Sequence, residues 1–167
     1  MGVELDCAAE LMNRIIDGVS GPRIGIHICR GNWSTREDVL LTGDYTPLLP
    51  ALTKMKVHQY VLEYATPRAG DIKVVGEALS GKIPGTDRPR ELGLGVVNPR
   101  TTEAETPVEI MDKTRIVLKY YRPEQIFLNT DCGFGCFANR CVNVKEVATA
   151  KIRSIVEAAR RLRQQFS

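Results

Sequence analysis

The chain has 167 residues, 43% of them hydrophobic and 26% charged, with a formal net charge of +3. Residues 1–167 read as a single domain, long enough to bury a real core. The weak positive balance carries no block of five Lys or Arg, so it gives no footprint for nucleic acid, and no run approaches the roughly 18 apolar residues of a membrane span.

In chain order, the N-terminal stretch MGVELDCAAELMNRII carries acids early and alternates polar with apolar residues. It predicts an amphipathic helix, not a signal peptide. The first apolar run, IGIHIC (24–29), predicts a buried strand. Thr46-Pro47 then opens LLPALTKM, with Pro47 suited to a first helical position. The second strand is QYVLEYA (59–65), preceded by His58, which reads as a surface residue at the opposite end. Asp71 opens the helical stretch IKVVGEALSG, which closes on Gly81, and LGLGVVN (92–98) is the third strand. Thr106-Pro107 opens VEIMDKTRIVLKYY, where Glu109 completes a capping box. The fourth strand is QIFLNTDC (125–132). Asn143 opens the last helix, with Glu146 at the matching position. Val147, Ile152, Ile155, Val156, Ala159 and Leu162 fall on its apolar side and its arginines on a solvated face.

The strand ends keep a period: Cys29, Glu63, Val97 and Asp131 are spaced 34, 34 and 34. A period of 34 also fits tetratricopeptide repeats, but here the unit is strand then helix, so a βα repeat is favoured. Near-continuous apolar strands joined by helical crossovers predict an α/β fold with a parallel sheet covered by helices. Doubly wound folds and βα barrels both fit. LGLGVVN and CGFGCF are glycine-bearing, yet neither gives GxGxxG at a strand-to-helix turn, so no dinucleotide site is expected.

In parallel βα architectures, function gathers at the C-terminal strand ends. His27 and Cys29 are two apart in a strand and share a face. Glu63 lies one repeat beyond Cys29, and Asp131 and Cys132 end the fourth strand. Glu63 sits in an apolar strand, where an unpaired charge is costly, so it needs a partner. One imidazole, two thiolates and one carboxylate form a donor set that zinc accepts in tetrahedral geometry, while thiolates argue against magnesium or calcium. The five cysteines are odd in number and nothing suggests secretion, so a reducing cytoplasm is the expected setting. Cys136 and Cys141 do not follow Cys132 at zinc-ribbon spacing; one reads as packed and the other as a loop thiol.

The stretches HICRGNW, VLEY, LGLGVVN and LNTDCGFG, in this order, resemble the C-terminal catalytic barrel of the cobalamin-independent methionine synthase family. The resemblance covers most of the chain. It implies the last four βα units of a TIM-type barrel, a fragment of four parallel strands alternating with helices. It also implies zinc held by His27, Cys29, Glu63 and Cys132, and methyl or alkyl transfer from a donor such as methyltetrahydrofolate to a thiol such as homocysteine. Relatives of that family alkylate another thiol, such as coenzyme M. The chain departs from the family where a histidine follows the third strand: here the stretch reads NPRT, with Arg100 in its approximate place. Arg30, Arg68 and Arg100, each after a strand end, with Asp131, are candidates for substrate binding, the arginines as a cationic rim for an anionic substrate. A complete barrel takes about 250 residues. A partner is therefore expected, either a first half-barrel chain or a second copy, to cover an apolar inner face with residues such as Ile26, Val61 and Leu94. A non-catalytic zinc-binding half-barrel, a subunit or remnant, is the alternative.

Overall fold

The computed structural model describes every residue except Met1, Cys136, Ala138 and Ser167. Four strands form one all-parallel sheet in the order β1-β2-β3-β4: β1 (Gly25–Ile28), β2 (Gln59–Leu62), β3 (Glu91–Val97) and β4 (Ile126–Thr130). Helices alternate with them: α1 (Gly2–Ile16), α2 (Leu49–Leu52), α3 (Ile72–Leu79), α4 (Pro107–Val117) and α5 (Lys145–Phe166). This is the expected α/β alternation. No helix among the described residues is long and apolar enough to cross a membrane.

Local chemistry sets most boundaries. Asp71 caps α3, its carboxylate accepting from Lys73 N. Thr106 and Glu109 form the reciprocal capping box of α4, with Pro107 in the first turn, which satisfies amides that have no partner within the helix. The stretch after Thr46 is shorter than expected. It begins as a 3₁₀ turn (Thr46–Leu48) and gives only one helical turn in α2. Asn143 spends its side-chain amide on the carbonyls of Pro99 and Thr101, and α5 begins at Lys145.

The core lies between the sheet and its helices. Tyr60, Leu62, Leu92, Leu94 and Val96 pack under Leu52, Val75, Leu79, Ile110, Met111 and Ile155. On α5 the buried positions are Lys151, Ile155, Ala158 and Leu162, a helical stripe of steps four, three and four. Ile152 and Val156, expected inside, are exposed. The helix turns its stripe toward α4 and the sheet, which leaves these two residues on its flank.

The register corrects the even spacing of the strand ends. Gly25 pairs with Gln59, 34 residues on, but Gln59 pairs with Glu91, 32 on. Leu92 pairs with Ile126, and an irregularity after Gly95 sets Val97 opposite Thr130. Extending the Leu62–Leu94 pair by one step places Glu63 level with Gly95. Paired neighbours share a face, so Ile26, Tyr60, Leu92 and Ile126 face the helices, as do Ile28, Leu62, Leu94 and Leu128. Ile26 and Leu94 therefore do not belong to the open face; only Val61 does. That face carries His27, Val61, Gly93 and Phe127 in one row and is not a continuous apolar surface. An apolar recess lies instead beside β4. A groove of about 670 Å³ there is lined by residues including Ile126, Leu128, Val156 and Phe166.

Candidate metal centre

β1 is extended, so His27 and Cys29 project from one face. The turn after β4 brings Cys132 to them. A ligand atom from each of His27, Cys29 and Cys132 lies within 4.8 Å of the others. The sulfurs of Cys29 and Cys132 stand 3.7 Å apart, and both cysteines are free. Two thiolates at about 2.3 Å from one tetrahedral zinc would be about 3.8 Å apart, so the pair is spaced for a shared ion. His27 Nδ1 is 3.0 Å from the carbonyl oxygen of Val61. A carbonyl only accepts, so Nδ1 carries the proton and Nε2 keeps its lone pair, the arrangement of a metal-binding imidazole. The donor set fits zinc.

Glu63 stands outside that trio. It is buried, and its Oε1 accepts from Arg30 N at 2.9 Å. Its Oε2 accepts no hydrogen bond and lies 3.8 Å from the Arg68 guanidinium. Arg68 is thus the cation that a glutamate in an apolar strand requires. The backbone at Glu63 is held by Tyr45, which no pattern in the sequence pointed to. The Tyr45 hydroxyl accepts from Glu63 N at 2.9 Å and donates to Glu63 O at 3.4 Å. Burial pushes its pKa up to about 12, so it keeps its proton for that bond.

The three arginines form no solvated rim. Arg30 is buried, stacks on Tyr45, and donates to the carbonyls of Leu41, Gly43 and Arg68. Arg100 is buried and its Nε donates to Asn32 Oδ1 at 2.9 Å. Each of these side chains is spent first on holding a loop. Asp131 is likewise engaged: one oxygen accepts from both Tyr64 N and Ala65 N at 2.9 Å, tying the end of β4 to the end of β2. It reaches across β3 at Gly95, where a Cβ would stand 2.1 Å from Asp131 Oδ1. Burial, and next in the same direction the charge of Glu63, push its carboxyl up to about 7 against the backbone donors.

His58 is not a free surface residue. Its Nδ1 accepts from Ile24 N at 2.8 Å, and burial lowers its pKa. Cys141 is an exposed thiol, and Cys136 lies outside the described residues. Arg140, on the turn after Cys132, lies over the rings of both Phe137 and Trp33.

No family model matches the chain. Curated proteins do. A methionine synthase from Thermococcus kodakarensis is 29% identical over 92% of this chain, and one from Pyrococcus furiosus is 28% identical over 98%. The chain is similar to these methionine synthases over nearly its whole length. It spans about two fifths of their length, 39% and 40% respectively. A solved B12-independent methionine synthase from a Shewanella species, in complex with selenomethionine, superposes with a TM-score of 0.74 at 18% identity. That likeness covers 94% of this chain and 43% of the other, and it supports the same fold, a part of a TIM-type barrel.

Proposed function

We propose that this chain is the zinc-holding part of a methyl- or alkyl-transfer centre acting on a thiol such as homocysteine. The observation that carries the reading is the convergence of His27, Cys29 and Cys132, with the two sulfurs at 3.7 Å. Bound there, zinc would supply the Lewis acidity that favours the thiolate form of a substrate thiol at neutral pH. The chain's own residues do the rest. Val61 O orients His27, and Tyr45 and the amide of Arg30 fix Glu63. The unbonded Glu63 Oε2 is the oxygen donor offered as fourth ligand. A ligand set of mixed hardness, with one oxygen, suits a site that exchanges a ligand for substrate.

Residues 1–167 form one domain in this reading, and the alkyl donor binds mainly to the part of the barrel that lies beyond it. That part, as a separate first half-barrel or a second copy of this chain, covers the groove beside β4 and the free strand edges. The chain alone then transfers little. A non-catalytic zinc-binding half-barrel is favoured by one observation: Arg30 and Arg100 are occupied within the protein, and Arg100 stands where the resembled family has a histidine.

Cobalt-substituted protein separates the two. Addition of homocysteine or coenzyme M should raise the sulfur-to-metal absorption, whichever thiol is the substrate. An unchanged spectrum with both thiols leaves the scaffold reading standing, and less than one metal ion per chain removes both readings.

A further inference from the structure

The two thiols of the metal centre come from opposite edges of the sheet. Cys29 follows β1 and Cys132 follows β4, and the strand order β1-β2-β3-β4 leaves no backbone ladder between those two strands. Their sulfurs nevertheless stand 3.7 Å apart. Across an open sheet, that spacing depends on the loops that leave the two strands.

Those loops meet. The loop after β1 carries Trp33, four residues beyond Cys29, and the loop after β4 carries Phe137 and Arg140, five and eight residues beyond Cys132. The second loop is closed by Val142 N donating to Phe134 O at 2.9 Å and by Arg140 N donating to Phe137 O at 3.1 Å. The Arg140 guanidinium lies 4.7 Å from the centre of the Phe137 ring and 5.7 Å from the centre of the Trp33 ring. Both distances fall within the roughly 6 Å at which a cation is held over an aromatic face, and tryptophan offers the strongest such face. Among the described residues no hydrogen bond or ion pair engages the Arg140 side chain, so the rings set where it lies. Neither ring belongs to the core: Trp33 is 40% exposed and Phe137 51%, so core packing does not account for them. Phe137 is on the same loop as Arg140, but Trp33 is not. The Arg140–Trp33 contact therefore joins the exit of β4 to the exit of β1, the two segments whose separation fixes the sulfur spacing.

We propose that Arg140 is a positioning residue for the metal centre: its guanidinium, stacked on Trp33, clasps the β4 exit to the β1 exit and holds the Cys29 and Cys132 thiols at the distance that one ion shares. The ligand class is a thiophilic divalent cation such as zinc. Arg140 does not ligate the ion, since a guanidinium has no lone pair to offer. The inference rests on the metal-binding reading of the trio.

Zinc affinity and thiol proximity test it, both on the full chain. In chelator competition, Arg140→Ala should bind zinc about two- to fivefold more weakly, the factor that one exposed cation–π contact carries. Arg140→Lys keeps a cation over the ring and should recover most of the loss. Trp33→Ala should cost the same factor, and the double variant Arg140→Ala/Trp33→Ala no more than either alone, because the pair acts as one contact. A general loosening of the fold would instead add the two losses and leave the lysine variant no better than alanine. The second measurement needs no metal. With Cys7, Cys136 and Cys141 replaced by Ser, diamide takes one hydrogen from each of the Cys29 and Cys132 thiols and leaves a disulfide. The rate of that linkage should fall in Arg140→Ala by a factor similar to the loss of zinc affinity. No zinc binding by the unsubstituted protein would sink the metal reading, and the diamide rate would still decide the clasp. Unchanged zinc affinity or an unchanged linkage rate in Arg140→Ala, or additive losses in the double variant, would overturn the proposal.

Discussion

Gly95→Ala should be among the most damaging single-methyl changes in this protein. The added Cβ would stand 2.1 Å from Asp131 Oδ1 and 2.7 Å from Leu62 O. The Leu62 oxygen is backbone in the middle of the sheet and cannot retreat, so the Asp131 carboxylate must leave. It then gives up the amides of Tyr64 and Ala65, both at 2.9 Å. Above pH 7, where Asp131 is ionised, hydrogen bonds to its carboxylate are worth about 1.5–3 kcal/mol each, and buried donors left unpaired cost about 1–3 kcal/mol each. The two bonds are shared by one oxygen, so the expected loss is about 3–5 kcal/mol. Gly93→Ala is the control on the same strand and face. There the nearest atoms are Asn129 Oδ1 and Val61 Cγ2 at 3.0 Å and Val61 Cα at 3.2 Å, which need give only by a few tenths of an ångström, and the expected cost is about 1–2 kcal/mol. Urea denaturation of both variants and of the double variant Gly95→Ala/Asp131→Ala gives the comparison. In the Asp131→Ala background the glycine change should cost about 2 kcal/mol less, because the carboxylate it displaces is gone. If Gly95→Ala and Gly93→Ala lie within about 1 kcal/mol of each other, the tie across β3 does not carry the stability assigned to it.

Cys29→Ser or Cys132→Ser should strip bound zinc, since a hydroxyl is a much poorer ligand than a thiolate, while Cys141→Ser should leave metal content unchanged; elemental analysis after dialysis decides. Asp131 gives a pH dependence with a definite sign. Its folded pKa of about 7 stands above the unfolded value of about 3.9, so the folded state holds the extra proton between them. The contribution of Asp131 to the stability of the metal-free protein should be full below about pH 4 and be lost as pH rises through about 7. Subtracting the pH profile of Asp131→Asn isolates this contribution, and a flat difference refutes it. Sedimentation of the isolated chain should show self-association, or a shift when a first half-barrel is added. A stable monomer with full turnover of a methyl donor and a thiol would contradict the partner proposal.

The sequence by itself determined what is local. Apolar runs bounded by turn residues fixed where strands lie, and Asp71 and Thr106–Glu109 fixed helix starts, because a cap acts within one turn of the chain. The two-residue spacing in HICRGNW put His27 and Cys29 on one face, because a strand alternates. The tertiary structure decided what depends on neighbours distant in the chain. Even spacing in sequence is not register: the step from β2 to β3 is 32, and this puts Glu63 level with Gly95. Which side of each strand meets the helices was likewise a matter of register, so Ile26 and Leu94 moved to the covered face. The arginines after the strand ends looked like a rim because sequence shows charge but not direction; their guanidiniums turned inward to carbonyls and an asparagine. Lys151 looked like one more solvated cation on a basic helix. Only the fold brings Thr101, Glu103 and Glu105 around it, and a buried charge is decided by the acceptors it meets, which lie 46 to 50 residues away along the chain.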